Sequence, residues 1–257
     1  MTAAVRAEWT KLRTLPSTGW LLVAAVGVTV AGSVVVAAVL HVNPGSPQDP
    51  TKLSLAGVQI GQALIAILAV LAVSEEYGTG MIRVTLTAIP RRLTLLVTKA
   101  ANLAGLTLLV GFIAVAGSLI AGRFILPGTG IDPAHGYALV SLSHAPTLRA
   151  AAGSILYLVF IGLLSLGVAT TIRDTAASVG AVLGLLYLPP IAAQLVNDPT
   201  WRRHLEQIAP TTAGLAIQAT TNLRAQPIAP WTGLGVLVVW VAAALLIAGL
   251  LLRMRDA

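Results

Sequence analysis

Cysteine is absent from this sequence, and charged residues are scarce. Of its 257 residues, 10% are Asp, Glu, Lys or Arg, whereas soluble domains average about 25%. The lack of cysteine excludes disulfides, thiolate nucleophiles and cysteine-ligated metal sites. Because 56% of the residues are hydrophobic and the mean hydropathy is +0.88, most of the surface needs a non-aqueous solvent. Composition therefore excludes a soluble catalytic domain and indicates an integral membrane protein.

Acidic residues are the scarcer of the two charged classes. The chain has 16 Lys and Arg against 9 Asp and Glu, a formal charge of +7 and a pI near 10.6. The basic residues stand beside and between apolar segments, where cations attract anionic lipid headgroups and determine topology. The charge therefore predicts contact with anionic lipids and no binding of nucleic acid.

Six apolar segments are long enough to cross a bilayer, which requires about 20 helical residues. Their interiors contain no charged residue, and they cover approximately Thr18–Leu40, Leu55–Val73, Ala100–Ile120, Ala150–Ile172, Ala176–Val196 and Trp231–Leu252. The first run is too long for the core of a signal peptide, which favours an uncleaved span. The third has an alternative start near Leu93 that would place Lys99 inside it; we favour Lys99 at the boundary. The sequence predicts an all-α membrane protein with one domain, residues 1–257.

The distribution of Lys and Arg predicts the orientation of the spans. With the N-terminus in the cytoplasm, ten basic residues lie on the inner side: Arg6, Lys11, Arg13, Arg83, Arg91, Arg92, Lys99, Arg173, Arg253 and Arg255. Six lie on the outer side: Lys52, Arg123, Arg149, Arg202, Arg203 and Arg224. The inner excess predicts that both termini are cytoplasmic.

The segment before the first span, residues 1–17, has amphipathic character. Val5, Trp9 and Leu12 recur at helical spacing, while the cations fall largely off that face. This pattern is typical of a helix lying in the membrane interface. An ordinary basic flank that only determines topology explains it equally well.

Two loops have residue patterns that predict short helices. Residues 74–99 are too polar to span the membrane, yet apolar positions alternate through them after a turn allowed by Gly78 and Gly80, which suggests a short helix on the inner face. In the outer loop, residues 197–229, Asp198 and Pro199 predict the start of a short helix at the membrane surface. A solvated loop with a few charges is the plainer interpretation of residues 74–99.

Few polar residues interrupt the spans. Gln59 and Gln62 lie three apart on one helical face, and Asn102 lies in the third span. Such residues usually make hydrogen bonds between helices; we also consider these three as a candidate substrate route. Pro189 and Pro190 remove two backbone donors, which predicts a kink in the fifth span.

Three stretches of the sequence, in order along the chain, resemble one known family. They are "EWTKLRT" (Glu8–Thr14), "EYGTGMIR" (Glu76–Arg83) with Thr85-Leu86 and Pro90-Arg91-Arg92 after it, and "LGVATTIRDTAASVG" (Leu166–Gly180). Together with six spans, they resemble the permease subunits of type 2 ATP-binding cassette (ABC) transporters, especially actinobacterial ones. Met81 departs from the Thr that is commoner in this family.

The resemblance implies a function that the residues alone do not show. An N-terminal elbow helix would include Glu8, Trp9, Lys11 and Arg13, and a coupling helix that docks on the ATPase would include Glu76, Tyr77, Gly80, Arg83, Arg91 and Arg92. It implies two cytosolic ABC ATPase subunits, which bind ATP and Mg, and a second permease copy, as a homodimer or with a paralogue. The chain would export an amphipathic or lipophilic substrate such as a drug, lipid or antibiotic-like peptide. The expected location is the bacterial cytoplasmic membrane.

Motifs for chemistry within this chain are missing. No G-x-x-x-x-G-K-[ST] phosphate loop occurs, so nucleotide hydrolysis would need a separate subunit, and we expect no enzyme activity and no cofactor or metal bound by this chain. Glu75-Glu76 and Arg83 resemble the motif of intramembrane CAAX-type proteases, but six residues separate them where that motif has three. A small secondary transporter is the second alternative, although such carriers usually place a charged group at the membrane midplane.

Overall fold

The computed structural model describes residues 16–39, 48–78, 92–131, 137 and 140–254, with side chains described except at residues 16–18, 75–78 and 92. The described residues form nine α-helices and no strand. The helices are α1 (Pro16–Val39), α2 (Pro50–Ser54), α3 (Val58–Gly78), α4 (Arg92–Ile125), α5 (Ala145–Ile172), α6 (Thr175–Leu195), α7 (Pro199–Ile208), α8 (Pro210–Leu215) and α9 (Pro230–Met254). Short 3-10 turns cover Leu126–Thr129, Ala216–Gln218 and Leu223–Ala225.

Five of the described helices are long and apolar enough to cross a membrane: α1, α4, α5, α6 and α9. In α3, the apolar stretch whose side chains are described, Val58–Ser74, is shorter than this criterion requires. The expectation of an all-α, multi-pass membrane protein is therefore confirmed. A sixth span at α3 stays a prediction.

Helix α5 lies at the centre of the bundle. It packs against α3, α4, α6 and α9, whereas α1 contacts α3 and α4 from the periphery. The side chains of Tyr157, Leu158, Ile161 and Leu164 on α5 are fully buried. Since lipid tails are as apolar as these side chains, close packing and interhelical hydrogen bonds, rather than the hydrophobic effect, hold such helices together.

The fourth helix begins at Arg92, so the structure has the earlier of the two starts considered for the third span. Lys99 lies inside α4 and is only 8% exposed. Its ammonium donates to the Ala72 carbonyl of α3 over 3.3 Å. The cation therefore lies between two helices of the bundle, and its expected position at the membrane boundary stays a prediction.

A two-residue turn joins α5 to α6. Arg173 adopts left-handed backbone geometry (φ 64°), and its N–H closes α5 on the Ala169 carbonyl. Asp174 then caps α6, because its carboxylate accepts from the Ala177 N–H at 2.7 Å. These two residues make α5 and α6 antiparallel neighbours within the stretch Leu166–Gly180.

Helices α1 and α3 approach each other through small residues. A Cβ at Gly57 would lie 1.9 Å from the Thr29 carbonyl oxygen, and one at Gly61 would lie 1.8 Å from the Thr29 hydroxyl. The Gly57 N–H also donates to the Ser33 hydroxyl at 3.1 Å. The Gly57-x-x-x-Gly61 spacing is the small-residue pattern that allows close helix contact in membranes.

Candidate functional site

The chain between α6 and α9 enters the bundle instead of staying on its surface. Helix α7 has no buried residue, and Trp201 and Ile208 are 67% and 60% exposed. The next stretch, residues 209–219, which we call the inserted segment, is buried except at Thr212 and Leu215. An Ala- and Thr-rich connection thus fills the space between α5, α6 and α9.

Glycines on both sides make this insertion sterically feasible. A Cβ at Gly233 of α9 would lie 2.0 Å from the Ala213 carbonyl oxygen, and one at Gly214 would lie 2.7 Å from the Tyr157 ring. Any larger residue at Gly233 would push the inserted segment away from α9. The inserted segment is therefore packed as closely as the helices themselves.

Thr211 fills a hydrogen-bonding position that the proline pair of α6 leaves open. Pro190 has no N–H, so it cannot donate to the carbonyl of Leu186, four residues earlier. The Thr211 hydroxyl donates to that carbonyl at 2.8 Å, in a buried environment. Since an unpaired carbonyl in a membrane interior is costly, this bond ties the inserted segment to the proline site of α6.

Two tyrosines and two glutamines form a polar seam where α3 meets α5 and α6. The Tyr157 hydroxyl donates to Gln62 Oε1, and both residues are fully buried. One turn along α3, the Tyr187 hydroxyl donates to the Gln59 carbonyl at 2.8 Å. The Gln62 amide nitrogen is buried and has no hydrogen-bond partner among the described residues. We call Gln59, Gln62, Tyr157 and Tyr187 the polar seam.

Two adjoining cavities of about 350 and 340 Å³ open beside this seam. Both are lined by Lys52, Gln59, Leu215 and Gln226, and we treat them as one polar chamber. Other walls come from α6, α7 and the inserted segment: Pro190, Ala193, Gln194, Arg202, Glu206, Thr211, Thr212 and Ala216. Each cavity is within the size range of small-molecule sites, about 300–1,000 Å³.

The charges around the polar chamber are unequally paired. Glu206 accepts from Arg202 Nε at 3.0 Å. The Asp49 carboxylate accepts from both the N–H and the hydroxyl of Thr220, from the Thr221 N–H at 3.0 Å and from the Lys52 N–H at 3.1 Å. The Lys52 ammonium has no carboxylate within 4 Å among the described residues. Both carboxylates therefore already accept hydrogen bonds from the protein, whereas the Lys52 ammonium keeps its donors free within the described part of the chain.

The sequence-predicted route residues occupy three different environments. Gln59 lines the polar chamber, Gln62 is buried in the seam, and Asn102 is buried in α4 away from both cavities. The elbow residues Glu8, Trp9, Lys11 and Arg13 lie outside the described residues, as do Gly80, Arg83 and Arg91. For Glu76, Tyr77 and Arg92 only the helical backbone is described.

Sequence reasoning did not identify Lys52, Tyr157, Tyr187 or Thr211 as site residues. In the sequence Lys52 indicates only topology, and the tyrosines stand in apolar runs that reveal no partner. The one available signal was the proline pair, since its missing donors require a substitute from another segment. Among the described residues, no group of three His, Asp or Glu side chains is placed to hold a metal ion.

The fold and the apolar helices define the class: this is a multi-pass, α-helical membrane protein. No model of a known protein family matches the chain, and no curated protein matches it by sequence. The more specific assignment consequently depends on its motifs and its site.

Proposed function

We propose that this chain is the permease subunit of an ABC exporter in the bacterial cytoplasmic membrane, with six spans and cytoplasmic termini. It moves an amphipathic or lipophilic substrate outward. A separate cytosolic ATPase, in two copies, supplies the energy. A second permease copy, identical or paralogous, completes the pathway.

One structural observation carries the proposal: a single helix joins the polar seam to the coupling motif. Helix α3 runs without interruption from Val58 to Gly78, so it contains Gln59 and Gln62 near one end and Glu76 near the other. At 1.5 Å per residue, Gln62 and Glu76 are about 21 Å apart along the axis. A push on the end near Glu76 is transmitted along a rigid rod to the polar seam and chamber.

The position of α3 also favours a coupling role. It packs against α5, the central helix, and against α6, which carries the proline pair. Movement of α3 would shift Gln59 against Tyr187 and so change the wall of the polar chamber. Because the chain has no phosphate loop of its own, the force must come from a partner that hydrolyses ATP.

Substitutions at the coupling motif test the proposal. We expect Glu76→Ala or Arg83→Ala to leave membrane insertion intact, because the sequence predicts both charges outside the spans, where a surface charge contributes on the order of 0–1 kcal/mol. Substrate transport and permease-stimulated ATPase turnover should fall together by about tenfold or more, measured in proteoliposomes containing the ABC ATPase. Arg224→Ala, on the opposite predicted side, is the matched control. Wild-type transport and stimulation in both variants, at equal membrane levels, would contradict the proposal.

The burial of Lys99 favours a second candidate, a small ion-coupled carrier. Ionisable groups inside membrane bundles often belong to proton or ion pathways. Here the ammonium lies between α4 and α3, beside the Ala72 carbonyl. A carrier of this kind would transport substrate on an ion gradient without nucleotide, and Lys99→Gln would abolish that gradient dependence.

A further inference from the structure

We propose that the polar chamber binds the anionic headgroup of an amphipathic molecule, with Lys52 as the charged contact. The inference deepens the transport proposal and rests on it only in calling the ligand a cargo. The binding itself requires no ATPase. The ligand class is a carboxylate or phosphate headgroup on an apolar body.

The sign of the ligand charge follows from which charged side chains in the chamber walls already have hydrogen-bond partners. Asp49 already accepts four hydrogen bonds, about as many as a carboxylate has lone-pair sites. Glu206 is held by Arg202 in the same wall. Neither carboxylate pairs with the exposed Lys52 ammonium, so its hydrogen-bond donors are free for an anion that enters the chamber.

The shape and polarity of the headgroup follow from the amides beside Lys52. Gln59 and Gln226 line both cavities together with Lys52. Amide N–H groups and an ammonium together donate several hydrogen bonds to the oxygens of one anion, and such charge-assisted bonds are the strong ones.

The rest of the chamber accommodates an apolar body. Leu215 lies between the two cavities, and Pro190, Ala193 and Ile228 line the larger one. The chamber is lined both by the apolar end of α6 and by charged residues of the surface helix α7, so apolar and polar walls lie close together. An amphipathic anion satisfies both parts, whereas a small inorganic anion would leave the apolar walls unfilled.

The test measures binding of 11-(dansylamino)undecanoate, a fluorescent aliphatic carboxylate, to the full chain in phosphatidylcholine nanodiscs. We expect saturable binding that Lys52→Gln weakens by about tenfold or more, because it removes a charge-assisted contact. Lys52→Arg should stay within about threefold of wild type, since the charge is kept. Arg224→Gln, an exposed cation on the same face that lines neither cavity, should bind as wild type does. The methyl ester of the probe, which has no charge, should bind wild type and Lys52→Gln with equal affinity.

Equal affinity of wild type and Lys52→Gln for the carboxylate, or no saturable binding by wild type, would overturn the inference. Replacing part of the lipid by phosphatidylglycerol distinguishes the two sources of the headgroup. If the membrane's own lipid occupies the site, the added lipid will weaken probe binding to wild type but not to Lys52→Gln. If an exported molecule is the ligand, probe affinity will be unchanged. Since no nucleotide is present, failure here is separable from failure of ATPase coupling.

Discussion

At the scale of single residues, the molecule depends on positions where a side chain would be too large. Gly57 is the clearest case, because its Cα faces the backbone of α1 and not a flexible side chain. A Cβ there would lie 1.9 Å from the Thr29 carbonyl oxygen and 2.6 Å from the Ser33 nitrogen. Backbone atoms cannot move aside without displacing the helix that carries them.

We therefore expect Gly57→Ala to destabilise the fold by about 1–3 kcal/mol or more, as overpacking does. Gly105→Ala is the matched control, since a Cβ at Gly105 meets no atom within 4 Å. That change should be neutral or stabilising, because alanine is the better helix former. Thermal or denaturant unfolding of the detergent-purified variants measures both. Equal stability of the two variants would show that α1 does not pack on α3 as described.

The sequence alone predicts only part of these close contacts. The Gly57-x-x-x-Gly61 spacing is readable in the sequence and is a known signal for helix contact. Its partners Thr29 and Ser33 are not readable, because Ser33 precedes Gly57 by 24 residues. The same holds for Tyr157 and Gln62, which are 95 residues apart. Polar residues in apolar runs indicate that a partner exists and not which one.

At the scale of elements, α6 and the inserted segment behave as one unit. The proline pair removes backbone donors from α6, and Thr211 returns one donor to the Leu186 carbonyl. The connection after α7 is therefore a structural part of the bundle. This arrangement holds the wall of the polar chamber in place, because Pro190 and Thr211 both line it.

A double-mutant cycle tests this dependence. Thr211→Val keeps the side-chain volume but leaves the Leu186 carbonyl without that donor, which should cost about 1–3 kcal/mol. In a Pro190→Ala background the restored N–H can donate to the same carbonyl, so the cost of Thr211→Val should fall by about 0.5–3 kcal/mol. Unfolding of the four proteins gives the coupling energy. Strictly additive effects would mean that Thr211 does not replace the missing donor.

Hydropathy predicted the long elements well and the inserted segment poorly, for a physical reason. A bilayer requires about 20 apolar residues in each span, and a run of that length is easily recognised in a sequence. Residues 209–219 are rich in Ala, Thr, Gly and Pro, as surface loops also are, and their burial comes from contacts with Gly233 and Tyr157 on distant helices. For Lys99, a charge beside an apolar run suggests the membrane edge, but its partner, the Ala72 carbonyl of α3, is not readable from the sequence.

At the scale of the whole molecule, the proposed function assigns a role to each end of α3 in one apolar bundle. One end carries the polar chamber, with the unpaired charge of Lys52. The other carries Glu76 and the motif that resembles an ATPase-coupling element. Between them, the described part of α3 has only buried or half-buried side chains from Gly61 to Ser74, which fits the proposal that this helix transmits motion between the two ends.

The most direct test measures the energy source of transport in proteoliposomes containing the purified chain. We predict no ATP hydrolysis and no transport by the chain alone. Both should appear when its ABC ATPase subunit is added, should persist after ion gradients are collapsed, and should be lost in Glu76→Ala. Substrate transport by the lone chain on an ion gradient, or ATP hydrolysis by it without the added subunit, would contradict the account.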